Sequence, residues 1–209
     1  MSEGQQKSGA GRPVIVSEDT HRARRVPPGQ AETKKWPVLH YGNVPRVDLK
    51  TWEFRIEGLV GKEWSCGWEE FRSLPWVDVK CDIHCVTRWS RLNNVFSGPS
   101  TRTVLEKAGG AAAAAKFVLV NCEQGFTTNL PLADFLGEDC VFAIEHDGKA
   151  LEPDHGWPVR LVIPKLYFWK SAKWVRGIEL MEKDVAGFWE QNGYHMRGDP
   201  WAEERYSWE

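Results

Sequence analysis

The chain has 209 residues, with 27 lysines and arginines against 29 aspartates and glutamates and a formal charge of -2. That length supports one sizeable core without disulfide or metal staples, and the near-balanced charge excludes bulk electrostatic capture of nucleic acid. Five cysteines, an odd number, and no apolar leader predict a reducing, cytoplasmic setting, and no run is long enough for a transmembrane segment.

Residues 1–30 are rich in Gly, Pro, Ser and charge and predict a flexible N-terminal arm. Trp36 to Asp48 is broken by Pro and Gly and reads as an ordered loop lying over something. TWEFRIEG, from Thr51, alternates Trp52, Phe54 and Ile56 with polar residues and reads as a strand ending at Gly58, with a hairpin turn at Gly61. Ser65 is placed to cap a short helix over 67–72, closed by Pro75. Val77, Val79, Cys81, Ile83 and Cys85 alternate with Asp78, Lys80, Asp82 and His84, the period of a half-buried strand.

SRLNNVFSGPS, from Ser90, reads as a loop, and Ser100 or Thr101 as the cap of a helix running to Ala108. KFVLVN, from Lys116, is a buried strand. CEQGFTTNLPLADFLG follows as a loop and a short helix. Val141–Glu145 and VRLVIP are further strands, with a turn at HDGK because Asp-Gly tolerates left-handed angles. Val175–Met181 returns to the sheet, and the final aromatic stretch packs as a tail over the body, since its rings are costly to expose together. Strands mixed with scattered short helices predict an α+β fold with a mixed β-sheet core.

Three chemistries lack their motifs: there is no GxGxxG, no Walker A run and no HExxH. Cys81, His84 and Cys85 resemble part of a zinc set, but two same-face cysteines four residues apart on a strand lie about 13 Å apart, too far for one metal. Cys85 itself has two readings. It is a small buried hydrophobe or, at the mouth of a core strand that turns polar and aromatic, a reactive or ligating thiol. In DHGWPVRLVIPKLYFWKSAKW, His155, Arg160, Lys165, Lys170 and Lys173 bring positive charge beside rings. They are either solvated surface charges or, with Ser171 and nearby backbone N–H groups, the grip on a large anionic cofactor.

HCVTRWS from His84, EQGFTTNLPL from Glu123 and HGWPVRLVIPKLYFWKSAKWVRGIEL from His155 resemble the sulfite oxidase and methionine-sulfoxide-reductase catalytic-subunit superfamily of molybdopterin-dependent oxidoreductases, in its small single-domain bacterial form. The resemblance covers residues 36–181, and GFWEQNGYHMRGDPWAEERY resembles the tail of such members. It implies a sulfite-oxidase-like molybdopterin-binding fold over 31–209, with the aromatic tail packed on it. It also implies bound molybdenum and molybdopterin, with Cys85 as the protein ligand to the metal. His40, Tyr41 and Gly42 match a cofactor-contacting loop, His155 and Arg160 match cofactor-contacting positions, and Ser171, Ala172 and Lys173 match a segment holding the pterin phosphate. Cys122 falls near a position lining the metal pocket, or it simply packs. Arg88 is either the pocket cation, with Arg91, or a surface ion-pair residue. The implied activity is oxygen-atom transfer to or from a small polar substrate, with electrons exchanged with a separate haem or flavin protein. A non-catalytic molybdopterin-binding or electron-relay subunit is the alternative, and a tryptophan-rich interaction domain without cofactor is a third. The resemblance does not carry over sulfite or methionine sulfoxide as substrate.

Overall fold

A computed structural model describes residues 11–208. Residues 1–10, the start of the expected arm, lie outside the described residues. From Gly11 onward the arm is laid along the body. β1 (Val14–Val16) pairs in parallel with Asp78–Lys80, and β2 (Ala31–Glu32) pairs in parallel with Trp89 and Ser90. Between them Arg25 grips the Asp82 carboxylate through hydrogen bonds of 2.6 and 2.8 Å. Composition alone favours a mobile arm here, but backbone hydrogen bonds to a strand edge do not depend on side-chain polarity.

β3 (Glu53–Gly58) and β4 (Trp64–Gly67) form the expected antiparallel hairpin. Gly58 turns at φ 83, and a Cβ there would lie 2.4 Å from the Leu180 carbonyl oxygen. α1 (Trp68–Arg72) buries Trp68 and Phe71. Ser65 does not cap it: Ser65 lies inside β4, and Gly67 holds the N-cap position without a side-chain bond.

β5 (Trp76–Cys85) and β6 (Trp89–Pro99) form a long antiparallel hairpin with a register shift between Cys81 and Ile83. The loop expected after Ser90 is therefore corrected to a strand. Its polar residues are satisfied within the sheet: the Asn93 N–H donates to Asp82, and the Asn94 amide donates to the Cys81 and Arg91 carbonyls. Asp82 and His84, on the side that alternation assigns to water, are fully buried.

α2 (Thr101–Glu106) is capped by Ser100, whose hydroxyl accepts from the Thr103 N–H. β7 (Phe117–Cys122) follows, and then a second strand, β8 (Thr127–Pro131), where a loop was expected; α3 (Leu132–Phe135) is the short helix. β9 (Val141–Ala143), β10 (Glu145–His146) and β11 (Lys149–Ala150) come next, with the Asp147-Gly148 turn at φ 48 and 76 as expected. β12 (Arg160–Val162), β13 (Val175–Met181) and α4 (Phe188–Gln191) complete the chain.

One sheet runs β1-β5-β6-β10-β11, with β2 also on β6; a second runs β4-β3-β13-β7-β8; β9 and β12 form a two-stranded ribbon. β13 pairs in parallel with β3 and antiparallel with β7, so the second sheet is mixed. The ribbon joins the two cores by its period of two. Phe142 and Leu161 enter the larger core with Phe54 and Ile178, whereas Val141, Ala143 and Val162 enter the other with Val79 and Phe96. Each such fully buried Val, Leu or Phe contributes about 1.5–3 kcal/mol. The ribbon therefore fixes β12, and with it Arg160, firmly against the body.

Candidate active site

Segments far apart in sequence meet around one cleft of about 450 Å³. They are the 36–42 loop, the turn after β5, the 123–126 turn, the 155–174 stretch and the ring-rich 188–194 stretch.

Cys85 is the last residue of β5, and its sulfur lies 3.1 Å from the Thr87 hydroxyl oxygen. The turn that carries it is held from several sides. The Arg88 N–H and the Gln30 side-chain amide both donate to the Cys85 carbonyl, and the buried Arg205 donates to the Val86 carbonyl. Burial pushes the Cys85 thiol up, while Thr87, Arg205 and Lys173 pull it back in part. A thiol so placed is a poor free nucleophile, of the kind that a bound metal can hold deprotonated.

Basic groups line the cleft as well. Arg160 is 1% exposed and lies 4.2 Å from the Phe168 ring centre. It donates to the His155 carbonyl at 2.9 Å and the Ser171 carbonyl at 2.7 Å, but its Nε has no hydrogen-bond partner. Among the described residues no carboxylate forms an ion pair with it. Burial lowers its pKa to about 9. Lys173 donates to the Asp154 carbonyl at 2.6 Å, and burial together with Arg160 lowers it to about 7. Burial, Arg160 and Lys173 bring His155 down to about 4. Burial thus weakens the charge of all three basic groups, Arg160 weakens Lys173 and His155 further, and a bound anion would relieve them. Gly156 permits the close approach. At φ 108, its Cβ would meet Arg160 Cβ at 3.0 Å and Lys173 Cβ at 3.1 Å. Ser171 Oγ accepts from the Ile163 N–H, which leaves its own hydroxyl proton for a ligand.

The 36–42 loop closes the mouth. His40 Nδ1 lies 3.0 Å from the Gly42 carbonyl, and its ring meets Trp174 edge-on. Tyr41 is exposed and tilts over Phe188. His40, Tyr41, Gly42, Cys85, His155, Arg160, Ser171, Ala172 and Lys173 therefore all line the one cleft.

Two expected residues do not. Arg88 is exposed, and its guanidinium lies beside Gly29, because the residue turns at φ 72 and leads its side chain away. Cys122 is buried in the larger core opposite Val175, where burial raises its thiol pKa. Arg91 is likewise committed elsewhere, to Asp147, Asn94 and His146. Sequence reasoning missed Trp36, Thr87, Gln124, Phe168, Trp189 and Tyr194 on the cleft wall. Their ring-rich segments were visible, but nothing in composition separates a ring that lines a cleft from one that covers a core. Among the described residues no group of three or more His, Cys, Asp or Glu side chains is placed to hold a metal ion.

The model of the oxidoreductase molybdopterin binding domain matches residues 41–189. The chain belongs to this family. It is 49% identical over 186 residues to the uncharacterized oxidoreductase YuiH of Bacillus subtilis, covering 88% of this chain and 93% of that one. It is 27% identical to the putative protein-methionine-sulfoxide reductase subunit YedZ1 of Azospira oryzae, covering 86% of this chain and 69% of that one. The crystal structure of the sulfane dehydrogenase SoxCD from Paracoccus pantotrophus superposes with a TM-score of 0.63 at 20% identity, over 69% of this chain and 41% of that one. That likeness shows the fold: the α+β architecture with a mixed sheet is that of the molybdopterin-binding, sulfite-oxidase-like proteins. The matched span of the molybdopterin-binding family contains most of the cleft lining, Cys85, His155, Arg160 and Lys173 included, while Trp36, Pro37, Leu39, His40 and Tyr194 lie just outside it. No helix among the described residues is long and apolar enough to cross a membrane.

Proposed function

We propose that the cleft holds molybdopterin and that Cys85 is the one protein ligand to its molybdenum. The chain is then a molybdenum-cofactor oxidoreductase that transfers an oxygen atom to or from a small substrate. The observation that carries this reading is the buried, acid-free Arg160 with Lys173 and His155 in the same cleft as a lone thiol. That donor set fits a group with an anionic end and a sulfur-held metal end. A soft thiolate suits a metal already bound by sulfur, and a metal here would take its other ligands from the cofactor, since the described residues offer no ligand cluster. Arg160, Lys173, Ser171 and the Ala172 backbone would hold the phosphate. His155 and the His40-Tyr41-Gly42 loop would cover the pterin. When bound, the cofactor supplies the two-electron redox chemistry. The protein positions it, excludes water with the rings of the cleft, and keeps the Cys85 sulfur directed at the metal through the Arg205 and Gln30 contacts on its turn.

The proposal leaves Arg88 and Cys122 out of the site. It takes residues 31–209 as the functional unit and residues 1–30 as an arm. It includes a separate redox partner, a haem or flavin protein, and a reducing cytoplasmic setting, in keeping with five free cysteines.

Native purification with metal analysis tests it. Stoichiometric molybdenum and release of a pterin on denaturation are expected, and a preparation from a molybdenum-replete host that carries neither would overturn the reading. Bound molybdenum with no turnover of any oxyanion, sulfoxide or N-oxide under a redox dye would favour the relay subunit instead.

A further inference from the structure

The cleft wall around Cys85 is built of rings. Trp189 and Tyr194 stack with centroids 5.0 Å apart at 19°, and Trp169 meets Tyr194 edge-on at 5.1 Å. Trp169, Trp189 and Tyr194 all pack with Cys85 in one cluster. From this wall we propose that the rings beside Cys85 form a substrate subsite for an uncharged molecule carrying a flat unsaturated group, and not for an oxyanion. The inference rests on the cleft being the molybdopterin site and adds the class of substrate.

An oxyanion leaving water needs cations or converging donors, and the nearby cations are committed: Lys173, which acts on the Cys85 thiol, is taken by the cofactor phosphate in the reading above. Arg205 lies under the Tyr167 ring and donates to the Val86 and Pro28 carbonyls. Arg197 pairs with Asp134, Arg176 pairs with Glu123, and Arg88 is exposed beside Gly29. What the wall offers is ring faces, with the Thr87 and Tyr194 hydroxyls to orient one polar atom.

The rings are also fixed in advance. The buried Glu190 accepts from Trp169 Nε1 at 2.8 Å and pairs with the fully buried Lys170, which donates to the Asn129 and Met196 carbonyls. This network ties α4, and so Trp189, to β8 and to Trp169. A preformed ring wall loses little freedom when a flat group binds.

Calorimetric titration of the natively purified holoprotein tests this with pyridine N-oxide, methyl phenyl sulfoxide, sulfite and nitrate as probes, with molybdenum content measured on the same sample. The two ring probes should bind at least about tenfold more tightly than either oxyanion. Trp189→Leu and Tyr194→Leu should each weaken the ring probes by about three- to tenfold at unchanged molybdenum content. Sulfite or nitrate binding as tightly as the ring probes overturns the inference, as does ring-probe affinity that neither substitution changes. If a variant loses molybdenum or melts early, the ranking of the four probes on the unaltered protein decides alone. A sample without molybdenum overturns the function reading itself, which separates the two failures.

Discussion

Trp36 lies flat on His155, with ring centroids 3.8 Å apart and planes 12° apart. It also touches His146, at 4.2 Å. Burial, Arg160 and Lys173 lower His155 to about 4; burial lowers His146 to about 4 as well, against the pull of Asp147. In the unfolded chain both titrate near about 6.5. Between those values the unfolded chain binds protons that the folded chain refuses, so stability is full above about pH 6.5 and falls as pH drops toward 4. For the cofactor-free protein, each histidine should contribute about 1–3 kcal/mol to that loss, after allowance for partial exposure. Thermal unfolding followed from about pH 7.5 to 4.5 should show it, and His155→Gln should flatten the slope. A melting temperature that holds constant across the window would contradict the assignment.

Lys173→Ala separates ligand holding from folding. Lys173 makes one hydrogen bond, to a backbone carbonyl, and sits unfavourably near Arg160. Its removal should change the stability of the cofactor-free protein by no more than about 0.5 kcal/mol. A charge-assisted bond to phosphate is worth about 1.5–3 kcal/mol, so cofactor retention should fall about tenfold or more. The measurement is molybdopterin content after prolonged dialysis, beside a melting curve. Equal retention in mutant and parent would remove Lys173 from the phosphate site.

The hairpin β3–β4, the capped helix α2, the Asp147-Gly148 turn and the strands β7, β12 and β13 were legible because each carries a local signal: a two-residue period, a capping residue, a turn-forming pair or a short apolar run. β6 was not, because Asn93 and Asn94 look like loop residues until Asp82 and the Cys81 carbonyl are seen to satisfy them. Asp82 and His84 misled for a related reason: alternation reports one buried face, and the arm and tail that cover the other are remote in sequence. Of the cleft, the basic groups and Cys85 were readable by family resemblance. The direction of the Arg88 side chain was not, since it depends on a left-handed turn residue that no sequence period marks.

Arg25→Ala tests how firmly the arm is bound. The Asp82 side chain is fully buried, and the 28%-exposed Arg25 supplies its only ion pair among the described residues. Without Arg25 the carboxylate keeps the Asn93 N–H but loses its counter-charge. The cost should be about 2–3 kcal/mol, below that of a wholly dry pair because water reaches the arginine. Asp82→Asn in the same chain should recover part of it, since an amide needs no counter-ion. Urea unfolding of both variants checks this. A loss in Arg25→Ala no larger than for an exposed pair would mean that water already reaches Asp82.

Cys85→Ser is the substitution on which the metal assignment stands. Serine keeps nearly the same shape and can still meet Thr87 at the turn, so the melting curve of the cofactor-free protein should move by less than about 1 kcal/mol. The hard oxygen of serine is a poor substitute for a soft thiolate toward a sulfur-held metal. The variant should therefore retain pterin through Arg160 and Lys173 while losing most of its molybdenum. Pterin and molybdenum are measured separately on the same preparation. Parallel loss of both would place Cys85 in cofactor binding generally, and full molybdenum in the serine variant would deny it the role of ligand.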